Sequence, residues 1–363
     1  MPHNRVVALE FAAAVKRIPV YPAGAGYAQT GPLVLLESNE SPYPPLPEVV
    51  AAAAAAIEGA NRYPDPNSSA LREALSARYG VPVEQITLGN GSCDVLLAAG
   101  LALLEPGAEL VYAWPSFSVY PQLEAISGAR AITVPLDAQE RIDLDALAGA
   151  VTAATRLVIV CNPNNPTSTA VTLARIREFL ADLPANVCVI LDEAYCEFNS
   201  LDPPDASLEL LTEHANLVLL RTFSKVYGLC GLRVGFALCG SPELPAALKL
   251  IRQPFFANAA AQAAALEALA HPEEVTRRVQ SARTARAELS ESLRGLGLST
   301  AESQANFVWF DLGRDDAEIV AGLAQRGIMV RAGSALGKPG ALRVTCGTHD
   351  ENARFIEALA ELL

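Results

Sequence analysis

The sequence predicts an α/β fold with a mostly parallel sheet, followed by a smaller α+β unit. From about residue 46 to 265, short apolar runs alternate with helix-period patterns. Strands that return through crossover helices leave that signature. The last third breaks the rhythm, with one long helical stretch leading into three short apolar runs. Residues 1–45 are rich in Pro and Gly and read as an irregular N-terminal arm, packed on or near the small unit. The predicted domains are therefore the arm at 1–45, a large domain at 46–265 and a small C-terminal domain at 266–363.

Each element has a local reason. Ala51 to Ala56 is low in complexity, but it leads into Ile57 and suits a helix. Apolar runs at 86–88, 109–112, 130–134, 157–161, 187–191, 217–221 and 234–238 have strand length and are rich in Val, Ile and Leu. The stretch 259–296 is helical in pattern. Residues 307–311, 328–331 and 342–345 complete the set as strands of the small domain.

Composition narrows the functional classes. About half of the 363 residues are apolar, which is ample for a sizeable core. The apolar runs are interrupted well before the ~18 residues of a membrane span. The first eleven residues carry Arg5 and Glu10 and no apolar leader segment, so a cytoplasmic protein is expected. A net charge of −13 disfavours a nucleic-acid partner. Seven cysteines without a C-x-x-C, and four scattered histidines, form no metal-ligand pattern. Cys161, Cys188 and Cys239 sit in apolar runs and read as small core residues.

Three successive strands end in chemistry-bearing residues. The run at 157–161 passes into Asn162-Pro163-Asn164-Asn165-Pro166-Thr167. The run at 187–191 passes into Asp192-Glu193-Ala194-Tyr195. The run at 217–221 passes into Thr222-Phe223-Ser224-Lys225. Taken singly, these would be a turn, a helix cap and a solvated lysine. Together they bring an amide, a carboxylate, a phenol and an amine to the carboxyl ends of neighbouring strands, where open α/β sheets bind ligands. Only four lysines occur: Lys16, Lys225, Lys249 and Lys338. Lys225 alone follows a buried strand, and a crowded cationic crevice would lower its pKa enough for Schiff-base chemistry.

The run Arg221-Thr222-Phe223-Ser224-Lys225-Val226-Tyr227-Gly228-Leu229-Cys230-Gly231-Leu232-Arg233-Val234-Gly235-Phe236 resembles the cofactor-lysine segment of fold-type I pyridoxal-phosphate (PLP) aminotransferases. The histidinol-phosphate aminotransferase family, with its aromatic-amino-acid members, is the nearest resemblance. Asn39-Glu40-Ser41-Pro42-Tyr43, Asn61-Arg62-Tyr63-Pro64, Gly89-Asn90-Gly91-Ser92, Asn162 to Thr167, Asp192 to Tyr195 and Leu342-Arg343-Val344-Thr345 agree in order. The resemblance runs from about residue 18 to the end. It implies the fold-type I PLP transferase architecture: a mostly parallel mixed sheet with helices on both faces, a smaller α+β C-terminal domain and an N-terminal arm.

It also implies roles. Lys225 holds PLP as a Schiff base and then moves the proton as general base and acid. Asp192 pairs with the pyridinium nitrogen. Tyr195 and Asn165 bond the phenolic oxygen of the ring, and Phe117 stacks on its face. Ser92, Cys93, Thr222, Ser224 and Arg233 take the phosphate. Tyr63 reaches the phosphate of a partner subunit, which implies a homodimer with shared sites. Arg331 and Arg343 bind the anionic groups of the substrate, Asn39 is a further substrate-binding residue, and Tyr21 covers the substrate from the arm. Two departures stand out: Ser168 replaces the Gly of Asn-Pro-Thr-Gly, and Cys93 takes the position of an acidic residue in many relatives.

The reaction implied is L-histidinol phosphate plus 2-oxoglutarate to imidazole-acetol phosphate plus L-glutamate. The alternative is an aromatic amino-acid aminotransferase, since Ser303-Gln304-Ala305-Asn306-Phe307-Val308-Trp309-Phe310 resembles members with aromatic preference. Phosphothreonine decarboxylases would keep the same PLP residues, but would release CO₂ and need no keto acid. A PLP-binding regulator would need a DNA-binding module. A nucleotide site at Gly89-Asn90-Gly91 lacks the third glycine and the acidic residue of that motif.

Overall fold

The computed structural model describes residues 9–21, 24, 26 and 31–363. The expectation about the extreme N-terminus rests mostly on residues outside that range. The first part of the chain runs through β1 (Val34–Leu35), α1 (Pro47–Glu58), α2 (Ser69–Tyr79), β2 (Ile86–Gly89), α3 (Ser92–Leu103), β3 (Glu109–Trp114), α4 (Tyr120–Ser127) and β4 (Arg130–Pro135). It continues through α5 (Leu144–Gly149), β5 (Thr155–Cys161), α6 (Leu173–Ala181), β6 (Cys188–Asp192), α7 (Leu210–Glu213), β7 (Leu217–Thr222), β8 (Gly235–Cys239) and α8 (Glu243–Ile251). The remainder is α9 (Ala259–Leu269), α10 (Pro272–Gly295), β9 (Ser299–Thr300), β10 (Phe307–Asp311), α11 (Asp316–Gln325), β11 (Ile328–Met329), β12 (Arg331–Ala332), β13 (Ala341–Thr345) and α12 (His349–Leu362).

The seven predicted strands form one sheet in the order β2-β8-β7-β6-β5-β3-β4. All are parallel except β8, which runs against both neighbours. The central strands are buried along nearly their whole length. Backbone groups buried on both faces need full pairing, which the ladders supply. The helical stretch 259–296 is two helices, because His271-Pro272 interrupts it. Proline is accommodated at the first turn of α10 but could not continue α9.

Packing separates two apolar cores. One gathers the seven-stranded sheet with α1 to α9; α9 packs extensively on α1. The other gathers Leu289 and Leu293 of α10 with β10, β13, α11 and α12, and it takes in Val34 and Leu36 from the arm. The arm thus joins the second core through parallel pairing of β1 with β11. Tyr195, Phe198, Val226, Ala305 and Phe307 form a small apolar cluster where the two cores meet. Among the described residues no helix is long and apolar enough to cross a membrane.

Candidate active site

The carboxyl ends of β5, β6 and β7 open into a cavity of about 400 Å³. In register, Cys161 lies beside Asp192 and Asp192 beside Leu220. Parallel pairing therefore brings the loops after β5, β6 and β7 to one rim. Asn165, Asp192, Tyr195, Thr222, Ser224, Lys225 and Arg233 line the cavity, as do Ser92, Cys93 and Phe117. Tyr21, Asn39, Arg331 and Arg343 line it from the arm and the second core. Of the predicted site residues, Tyr63 alone lies elsewhere: it is 80% exposed and stacks on Phe255 at 4.4 Å.

Burial sets the electrostatics. The Lys225 amine donates to the Ser38 carbonyl at 3.0 Å. Its pKa is pushed down to about 8, first by burial and then by the nearby Arg343 guanidinium. A substantial neutral fraction at physiological pH is what a nucleophilic amine needs. Burial pushes the Asp192 carboxyl up to about 6. Tyr120 donates to Asp192 Oδ2 at 2.8 Å, which opposes that rise. Tyr120 was not anticipated from the sequence, although it stands three residues beyond Phe117, at the start of α4. Burial also raises the Tyr195 phenol, whose oxygen accepts from Asn39 Nδ2 at 3.0 Å.

At one end of the cavity α3 begins at Ser92, so free backbone N–H groups face an incoming anion. Gly91 caps this helix with φ of 80°. A Cβ there would lie 2.3 Å from Arg233 Nη2, so only glycine lets the guanidinium lie against the turn. A Cβ on Gly235 would lie 2.4 Å from the Ser92 nitrogen, which packs β8 tightly beneath the same turn. At the opposite end Arg343 donates from Nη1 to Asn165 Oδ1 at 2.6 Å and from Nη2 to the Glu37 carbonyl at 2.5 Å. Arg331 is buried too, and the Nε atoms of both arginines have no partner. Burial pushes Arg343 down to about 10, and Arg331 adds to that. Both arginines line the cavity and lie close enough to repel each other, so positive charge collects on this side of it.

The two sequence departures have clear settings. Ser168 is fully buried at φ of 61°, with its hydroxyl unpartnered. The glycine expected there would adopt that backbone without strain. Cys93 lies in the first turn of α3 and keeps its backbone donor, while burial raises its thiol.

A family model described as aminotransferase class I and II matches residues 32–359. The chain belongs to that family. It is 44% identical over 351 residues to the aromatic amino acid aminotransferase of Streptomyces coelicolor, covering 96% of each chain. It is 46% identical over 334 residues to histidinol-phosphate aminotransferase 1 of Cupriavidus pinatubonensis, covering 91% of this chain and 88% of that one. Its fold matches the histidinol-phosphate aminotransferase of Sinorhizobium meliloti, solved with pyridoxal-5'-phosphate, at a TM-score of 0.89 and 29% identity over 98% of both chains. Class I and II aminotransferases depend on PLP. The residues of this aminotransferase fit that cofactor: an amine of lowered pKa, a buried carboxylate, and a helix N-terminus whose glycine cradle admits an arginine.

Proposed function

We propose that this aminotransferase converts L-histidinol phosphate and 2-oxoglutarate to imidazole-acetol phosphate and L-glutamate. The observation that carries the reading is the pair Arg331 and Arg343, two buried arginines that both line the cavity. A phosphate monoester or the two carboxylates of 2-oxoglutarate would use both guanidinium groups.

When bound, PLP supplies an electron-withdrawing ring that stabilises negative charge at the substrate Cα. Lys225 would hold the cofactor, and its amine would take up and give back the proton of the substrate Cα. Its amine, held by the Ser38 carbonyl, is already partly neutral at working pH. Asp192 would balance the protonated ring nitrogen. Tyr195 and Asn165 would bond the ring oxygen, and Phe117 would stack on the ring. Ser92, Cys93, Thr222, Ser224 and Arg233 would hold the phosphate. Tyr21 closes the entrance, and Asn39 borders the substrate space.

Tyr63 belongs to the site of a second copy in a homodimer. Its exposed ring stacks on Phe255, an apolar pair suited to burial against another subunit. The protein acts in the cytoplasm.

Aromatic amino acids are the second reading. It is favoured by the name of the Streptomyces coelicolor relative and of those from Cutibacterium acnes and Thermobifida fusca. A half-reaction screen separates the two. The loaded protein is mixed with histidinol phosphate, phenylalanine or tyrosine, and bleaching of its yellow absorption is followed. Histidinol phosphate should give the highest second-order rate constant; a higher value for phenylalanine would overturn the assignment.

A further inference from the structure

Asn39 is held at the cavity by both its backbone and its side chain. It is 1% exposed and adopts φ of 53°, a left-handed backbone that asparagine tolerates better than most residues. Its backbone N–H donates to Thr345 Oγ1 at 2.9 Å, and its carbonyl accepts from Asn306 Nδ2 at 3.2 Å. A non-glycine residue held in that region by surrounding bonds points to a functional constraint.

The orientation of its carboxamide follows from proton counting. The Thr345 hydroxyl already accepts the Asn39 N–H, so its own proton is spare. That proton goes to Asn39 Oδ1, 3.4 Å away. The amide nitrogen is then turned to the Tyr195 oxygen at 3.0 Å. A phenol has one proton and can both donate and accept. With Asn39 as donor, Tyr195 accepts on that side and keeps its proton for another acceptor.

We infer that Asn39 is a positioning residue: its carboxamide, fixed by Thr345, reserves the single Tyr195 proton for the ring oxygen of the cofactor. The inference rests on the proposed reading that Tyr195 faces that oxygen. Thr345 lies on β13 two positions beyond Arg343, so both side chains leave the same face of one strand. The strand that offers an arginine to the substrate anion therefore also sets the polarity of the hydrogen bond at the cofactor.

The consequence is spectroscopic. A donor at the ring oxygen stabilises negative charge there. A proton on the nitrogen joining Lys225 to the cofactor benefits from that same charge, so it is held less tightly when a donor shares it. The test is a pH titration of the visible band of the loaded, substrate-free protein, in wild type, Tyr195→Phe, Asn39→Asp and Thr345→Val. Tyr195→Phe should raise the midpoint. Asn39→Asp should raise it by about 1–2 pH units, because the carboxylate takes the phenolic proton and adds charge. Thr345→Val adds no charge and nearly preserves shape; it should raise the midpoint less, by freeing the amide to turn its oxygen to Tyr195. A shift in Tyr195→Phe but none in Thr345→Val overturns the role of Asn39 and leaves that of Tyr195 standing. No shift in Tyr195→Phe removes both. If Asn39→Asp fails to fold, Thr345→Val decides alone.

Discussion

Asp192 shows how the site sets function against stability. Its carboxyl has an ordinary pKa of 3.8 and one of about 6 in the folded, cofactor-free chain, because burial disfavours the charge. Between those values the folded state keeps a proton that the unfolded state has shed. Stability from this group is therefore present below 3.8, is lost as pH rises through about 6, and stays lost above it. Asp192→Asn removes the charge while its amide oxygen can still accept from Tyr120. The cofactor-free variant should gain up to about 3 kcal/mol at neutral pH and nothing below the ordinary aspartate pKa. Cofactor affinity should fall in the same variant. Denaturant titrations of both cofactor-free proteins at about pH 4 and about pH 8 check this; an equal gap at the two values would reject burial as the cause.

At the scale of elements, the ends of β6 and β7 are locked together behind the cavity. Arg221 is 2% exposed and donates to Glu193 Oε2 at 2.8 Å, to Asp205 Oδ1 at 2.7 Å and to the Pro204 carbonyl at 2.8 Å. Its guanidinium also lies 5.1 Å from the Tyr79 ring centre. Glu193 follows Asp192, and Arg221 precedes Thr222, so this pair clamps the two strand ends that carry the site. Arg221→Met leaves Glu193 a buried, uncompensated carboxylate. Losing one partner of a buried ion pair costs about 3–5 kcal/mol, and urea unfolding should show a loss of that size. A change under about 1 kcal/mol would mean that the pair barely repays its desolvation.

At the scale of the whole molecule, the chain leaves apolar surface uncovered. Leu250 is 88% exposed and Tyr63 80%, and Ile251 and Phe255 also reach the surface. In the proposed homodimer this surface is buried and Tyr63 enters the neighbouring site. Leu250→Glu places a charge in that interface and should weaken association by on the order of 2 kcal/mol. Sedimentation should show monomer at concentrations where the parent protein is dimeric, with activity lost in parallel. Activity that persists in a proven monomer would separate Tyr63 from the reaction.

Much of this was legible from local pattern. All seven strands of the large sheet are visible as apolar runs; six are buried along most of their length and so must be apolar on both faces, while the edge strand β4 is mostly exposed or half-buried. Lys225, Asp192 and Asn165 are visible because each follows such a run, and parallel pairing puts those ends side by side. The short β1 and β9 were not visible. Two-residue strands have no periodicity, and β1 exists only because β11 lies beside it.

The sequence by itself determined the fold class, the candidate lysine and the family resemblance, since these depend on residue type and order along the chain. The tertiary structure decided who touches whom across long separations: Tyr120 on Asp192, Asn39 on Tyr195, Arg343 on Asn165. It also decided that Ser168 occupies a left-handed turn. Hydrogen bonds reach only about 3 Å, so partners far apart in sequence become partners only once packing has fixed the distance.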